Sequence, residues 1–206
     1  MVLGLFLMAS SIDIIMLYLS IEVVSIMSFI LAGYLKLDTR SNEAALKYVI
    51  YGAFSSGLML YGLSIVYGLT GSTNYFVIQS SLVALDSSAN PALIMGLLMI
   101  LAGFGYKISA VPFHFWTPDV YEGSPITITA YLSVAPKAAG FALMIRFFNQ
   151  VFVDGDSLST LGWYADVSFA WPEILGVISV VTMTMGNLVA IQQNSVKRML
   201  AYSSIA

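Results

Sequence analysis

Runs of apolar residues over 12–35, 46–69, 92–115, 126–148 and 174–191 dominate this chain. Each is close to the roughly 20 residues that a helix needs to cross the hydrocarbon core of a bilayer. In lipid the backbone must satisfy itself, so runs of this kind read as transmembrane helices. Residues 1–9 look like the end of an earlier span and residues 199–206 like the start of a later one. The expected fold is therefore all-α: a polytopic transmembrane helix bundle. Composition agrees, with 59% hydrophobic and only 9% charged residues, against about 25% charged in typical soluble domains. Mean hydropathy is +0.88.

Against that background, three ionisable residues stand where charge is most expensive. Lys137 lies near the middle of 126–148, Glu22 midway along 12–35, and Lys107 inside 92–115. A helix over 126–148 would hold the Lys137 ammonium about 15 Å from either end. At the bilayer midplane a charge costs at least ~2.5 kcal/mol even on the lenient insertion scale. Ionisable residues at such depth point to a proton or ion path, although a lysine paired with a buried acid can also serve packing specificity.

The surroundings of each residue sharpen that reading. Thr129, Ser133 and Lys137 recur at i, i+4, i+8 and form a polar stripe, while Pro136 leaves the carbonyl of Leu132 without its helical donor. Such freed groups are tolerated at membrane depth only where protein or water meets them, which predicts a wet pocket around the amine. Gly103, Gly105 and Ser109 thin the helix around Lys107, and Pro112 unties the carbonyl of Ile108. An interrupted helix is expected between Lys107 and His114, its break facing the interior, as in the discontinuous spans of transporters. His114 is a possible relay group or an ordinary interfacial histidine. Tyr18, Glu22 and Ser25 make a further stripe, and a nearby amine is the expected partner of Glu22. Glu43 and Lys47, at i and i+4, suit an interfacial ion pair.

The connections carry polar punctuation. Ser41 is a plausible N-cap after the turn at 38–41, and 68–90 and 154–172 read as loops, the second with Trp163, Tyr164 and Trp171 fit for an interfacial belt. Lys36, Arg40 and Lys47 flank one turn and Lys197 and Arg198 another, on the same side by helix counting. The opposite loops hold Asp86, Asp154, Asp156 and Asp166 but no Lys or Arg, so the basic turns face the cytoplasm or its equivalent. Arg146 is the exception, near the outer end of its helix. The net charge of −3 leaves no basic footprint for nucleic acid. Zero cysteines exclude a Cys-ligated iron–sulfur cluster. Met1–Met8 has no basic n-region and reads as part of a membrane helix rather than a signal peptide. The whole reads as a partial domain over 1–206, an internal piece of a longer polytopic protein.

Three stretches carry a family resemblance: GYKISAVPFHFWTPDVYEGSP at 105–125, SNEAALKY at 41–48 and KRMLAYSSI at 197–205. They resemble the antiporter-like N-type subunits of respiratory complex I, the proton-pumping NADH:quinone oxidoreductase. The L and M types and the cation/proton antiporters tend to read His-x-Trp-Leu-Pro-Asp-Ala-His here. Thr117 and Tyr121 depart from that pattern and favour the N type. The resemblance implies about fourteen helices in two inverted five-helix repeats, with one antiporter-like repeat plus flanking helices present here. It implies that Glu22, Lys107 and Lys137 form the proton path and that a further lysine lies beyond residue 206. It also implies no cofactor and no metal in this chain, with NADH, flavin, iron–sulfur clusters and quinone in partner subunits. The expected partners are other membrane subunits, the lipid bilayer and protons. The expected location is a bacterial inner membrane, or a thylakoid membrane for a ferredoxin-fed homologue.

Overall fold

The computed structural model describes residues 1–84, 90–152 and 171–206. Asp86, Asp154, Asp156, Trp163, Tyr164 and Asp166 lie outside the described residues. Among those described the chain is helical: α1 (Val2–Ser10), α2 (Ile14–Ala32), α3 (Thr39–Thr70), α4 (Tyr75–Val83), α5 (Asn90–Ile108), α6 (Trp116–Gly123), α7 (Ile126–Phe152), α8 (Trp171–Ile191) and α9 (Val196–Ile205). Five of these, α2, α3, α5, α7 and α8, are long and apolar enough to cross a membrane. The bundle is apolar on its outside as well: Ile15, Phe54, Ile145 and Val177 are among many large exposed hydrophobic side chains, as lipid-facing surfaces require.

The helix ends follow local chemistry. Asp13 caps α2, accepting from the N–H groups of Ile15 (2.8 Å) and Met16 (3.4 Å). It also receives the Thr73 hydroxyl at 2.5 Å, tying the start of α2 to the segment entering α4. The expected cap of α3 is corrected. Asp38, not Ser41, accepts from the Arg40 N–H at 3.0 Å, so the helix begins at Thr39 rather than near 46. The Ser41 hydroxyl instead donates to the Ala32 carbonyl at the end of α2, at 2.8 Å. Gly71 closes α3 at φ 68°, the left-handed conformation that glycine adopts without steric cost.

A second correction concerns 68–90. Residues 75–83 of this expected loop form α4, capped by Asn74. Tyr75, Ile78 and Leu82 repeat on one face and are buried, and α4 packs against α7. The intervening Gln79, Ser80 and Ser81 disguise the short apolar stripe. Trp171 belongs to α8 and stacks on Phe148, with ring centroids 4.9 Å apart.

The most extensive packing joins α3 to α5. Close approach is set by glycines, as small-residue contacts allow in membranes. A Cβ added at Gly62 would stand 2.5 Å from the Gly96 carbonyl oxygen. A second aromatic cluster encloses α6, where Tyr48 and Trp116 stack with centroids 4.4 Å apart and planes 9° from parallel. Gly62→Ala should force α3 and α5 apart and cost ~1–3 kcal/mol as overpacking. Gly57→Ala, which meets nothing within 4 Å, should be neutral or slightly stabilising in a helix. Thermal midpoints of the assembled membrane protein decide between the two, and equal midpoints would refute the close-approach argument.

Candidate functional site: a broken helix between buried amines

Helix α5 stops at Ile108, well short of the expected 115. Ser109 turns left-handed at φ 64°, its N–H bonds the Tyr106 carbonyl (3.2 Å), and the Ala110 N–H bonds the Gly105 carbonyl (2.7 Å). These two bonds are a Schellman closure with serine where glycine is usual. The interruption expected between Lys107 and His114 is therefore present, but its cause is revised. The backbone has left the helix at Ser109 before Pro112 is reached, so the missing proline donor does not make the break. Residues 110–115 form turns, and the chain re-enters a helix as α6.

Side chains satisfy the groups freed by the break. The Thr182 hydroxyl of α8 accepts from the Val111 N–H at 3.0 Å. The Trp116 indole donates to the Tyr106 carbonyl at 3.0 Å, and the Thr117 hydroxyl donates to Ser109 Oγ at 2.7 Å. All of these bonds lie inside protein, the condition for irregular backbone at membrane depth. His114 sits in this turn, 7% exposed, with its Nδ1 buried and lacking a hydrogen-bond partner. No hydrogen bond among the described residues joins it to Lys107 or Lys137.

Lys107 points inward, 4% exposed, and its Nζ donates to Ser25 Oγ of α2 at 3.0 Å. Glu22 is on the same helix, half-buried, and its Oε1 accepts from the Ser56 hydroxyl of α3. Tyr18 also lies within hydrogen-bond range of Ser56, at 3.1 Å. The amine expected near Glu22 is Lys107, which reaches Ser25 on the same helix without forming an ion pair with the carboxylate. Among the described residues no carboxylate oxygen lies within 4 Å of either Lys107 or Lys137.

Lys137 lies near the middle of α7, 7% exposed. Its Nζ donates to the Ser204 carbonyl (2.5 Å) and hydroxyl (2.7 Å) of α9 and stands 5.9 Å from the centre of the Tyr121 ring. Gly140, one turn further along α7, faces Lys107: a Cβ there would come 3.3 Å from Lys107 Cγ. Adjacent helices thus bring the surroundings of the two amines together. The hydroxyls of the α7 stripe bond to backbone carbonyls. Ser133 donates to Ala130 of its own helix (2.8 Å), and Thr129 donates toward the Tyr121 and Pro125 carbonyls (3.1 and 3.2 Å). Helix α7 runs unbroken through Pro136.

At one end of the bundle, charge is gathered around α6. Asp119 accepts from Lys47 of α3 (2.7 Å) and Arg198 of α9 (2.8 Å). Lys47 also pairs with Glu43 (2.8 Å), as i,i+4 spacing suggested, and Arg198 with Glu122 (3.1 Å). Lys197 donates to the Glu122 and Ser124 carbonyls, both at 3.2 Å. The two basic turns expected on one side therefore meet at one carboxylate. The groups line a cleft of about 220 Å³ with Arg40 at its edge. The sequence alone did not single out Asp119, Ser56 or Ser204, and marked Tyr121 only as a family feature, because contacts between helices cannot be read from spacing within one.

The bundle and its interrupted helix define a polytopic α-helical membrane protein with a discontinuous span. The chain belongs to the family described as NADH:quinone oxidoreductase/Mrp antiporter, TM, which matches residues 11–206. It is 59% identical over 206 residues to NADH-quinone oxidoreductase subunit N 2 of Chloroherpeton thalassium, covering all of this chain and 39% of that protein. It is 47% identical over 203 residues to NAD(P)H-quinone oxidoreductase subunit 2 of Microcystis aeruginosa, covering 98% of this chain and 37% of that protein. The chain thus spans about two fifths of the curated relatives it matches. Among solved structures it resembles respiratory complex I from Thermus thermophilus (33% identity, TM-score 0.78, covering 99% of this chain and 40% of that one). It also resembles the membrane-bound sulfane sulfur reductase, an archaeal respiratory membrane complex (28% identity, TM-score 0.80, 98% and 39%).

Burial alone would raise the Asp119 carboxyl, but hydrogen bonds from Lys47 and Arg198 outweigh it and hold the group below its ordinary value of 3.8. Its stabilising contribution is then fully present above that ordinary value and is lost as pH falls through the lower, folded one. Asp119→Asn should remove this acid-labile component. Because Lys47 keeps Glu43 and Arg198 keeps Glu122, the loss at neutral pH should be modest, ~1 kcal/mol. Thermal midpoints measured from pH 3 to pH 7 test this, and superimposable acid profiles for the variant and the parent would contradict it.

Proposed function

We propose that this chain is the proton-handling part of an N-type membrane subunit of an NADH:quinone oxidoreductase in a bacterial inner membrane. In this reading Glu22, Lys107 and Lys137 hold and pass protons. His114, buried with an open Nδ1, is a further titratable group beside the break. The observation that carries the reading is the nature of the amines' partners. Lys107 rests on a serine hydroxyl and Lys137 on a serine hydroxyl and carbonyl. A lysine locked to a carboxylate keeps its proton, whereas one with neutral partners gains or loses it as nearby charge changes. In this reading Glu22, on the helix that holds Ser25 and not in contact with the amine, exerts that control.

Moving one charge against 100 mV requires about 2.3 kcal/mol. The energy would come from redox chemistry in partner subunits, which would hold NADH, flavin, iron–sulfur clusters and quinone. The high identity to a protein named as subunit N favours this reading over a cation/proton antiporter.

Lys137→Ala should lower proton uptake into membrane vesicles severalfold while leaving the complex assembled and quinone reduction measurable. Unchanged pumping in an assembled variant would remove Lys137 from the path. For Glu22→Gln and Lys107→Ala, the double variant should lose less pumping than the sum of the single losses, because each single change strands one buried charge. Strictly additive losses would show that the two sites are uncoupled.

A further inference from the structure

Glu22 on α2 and Lys107 on α5 form no ion pair, so a proton passing between them needs a carrier. Ser25 has the geometry of one. It is 6% exposed and accepts from Lys107 Nζ at 3.0 Å. It lies three residues beyond Glu22 on α2, and i,i+3 side chains are neighbours on a helix surface. A serine hydroxyl accepts at its lone pairs and donates one proton. With the amine on its accepting side, the Ser25 proton is uncommitted: no bond donated by Ser25 is found among the described residues. The carboxylate opposite is open in a complementary way. Ser56 occupies Glu22 Oε1, and Oε2 has no hydrogen-bond donor among the described residues. An uncommitted donor therefore stands one helical turn from an uncommitted acceptor.

We propose that Ser25 carries the proton between Lys107 and Glu22. An N–H bond of the Lys107 ammonium breaks as an O–H bond forms at Ser25 Oγ. The original Ser25 O–H breaks as one forms at Glu22 Oε2, directly or over one water molecule. The ammonium becomes a neutral amine, the carboxylate becomes a carboxylic acid and the serine is regenerated, so atoms and charge balance. The reverse step restores both charges. Ser56 holds the carboxylate by its other oxygen and is a positioning residue.

This inference rests on the proton-handling reading above, and the test separates the two. Protons pumped per quinone reduced are measured in vesicles carrying the whole assembled complex. Ser25→Thr and Ser25→Val present nearly the same shape and differ in the hydroxyl. The threonine variant should pump like the parent, and the valine variant should lose at least half the ratio. Equal ratios for the two would overturn the carrier role. Where the valine variant does not assemble, Ser25→Cys supplies a small side chain with a weaker donor and acceptor. Its ratio should fall and its solvent deuterium isotope effect should rise, and parental values for both would overturn the proposal. Lys107→Ala is the control on the broader reading: full pumping there would discard Lys107 as a proton site, whatever Ser25 does.

Discussion

Ser109 turns left-handed inside a helix whose sequence is otherwise apolar enough to continue, and the architecture around the amines depends on that turn. A non-glycine residue in this conformation costs about 1–2 kcal/mol, and it is held by bonds on both sides. Two backbone bonds close α5, and the Thr117 hydroxyl fixes the Ser109 side chain. Because the chain leaves the helix there, α6 is a separate short element that packs against both α3 and α9. Had α5 continued straight, Asp119 could not meet Lys47 and Arg198 together, and Tyr121 would not lie beside the Lys137 amine.

Groups freed at the break meet neutral donors or acceptors from protein rather than lipid. Thr182 meets the Val111 N–H, and Trp116 meets the Tyr106 carbonyl. Ion pairs gather at the end of the bundle, where Asp119 and Glu122 are partly exposed to solvent. The interior amines are given hydroxyls and a carbonyl. This separation has a consequence for stability: carboxylates at the rim reinforce the fold through ion pairs, and the buried lysines make no such pair among the described residues.

What was legible in the sequence follows from the length scale on which each feature is encoded. Membrane spans are written locally, in about twenty successive apolar residues, and the positions of α2, α3, α5, α7 and α8 could be read with shifted ends. The anomalous depth of Glu22, Lys107 and Lys137 is local too. So is the placement of basic residues, which put Lys47 and Arg198 on one side before Asp119 was seen to join them. The break could be anticipated from glycines and Pro112, yet its true pivot, Ser109, could not, because serine rarely takes the role of glycine. Helix α4 was concealed by three polar residues in nine. The cap of α3 was misassigned because Ser41 and Asp38 both suit the role, and the contact with Ala32 that occupies Ser41 is tertiary. The carbonyl partners of Thr129 and Ser133 on α7 were likewise not written in their spacing.

The separation of Glu22 from Lys107 is the least legible feature and the most consequential one. A stripe containing a glutamate on one helix and a lysine on another suggests an ion pair, and an ion pair would be the stronger bond in a medium of low dielectric. That strength would be a disadvantage for a group proposed to exchange its proton, because the charged form would be favoured throughout. Ser56 draws the carboxylate toward α3, and Ser25 intercepts the amine on α2. Two hydroxyls thus replace one strong contact with two weaker ones and leave the electrostatic coupling acting across the gap. The packing of α2, α3 and α5 sets the width of that gap, so the glycines that let α3 approach α5 bear on the electrostatics of the amine as well as on the stability of the bundle.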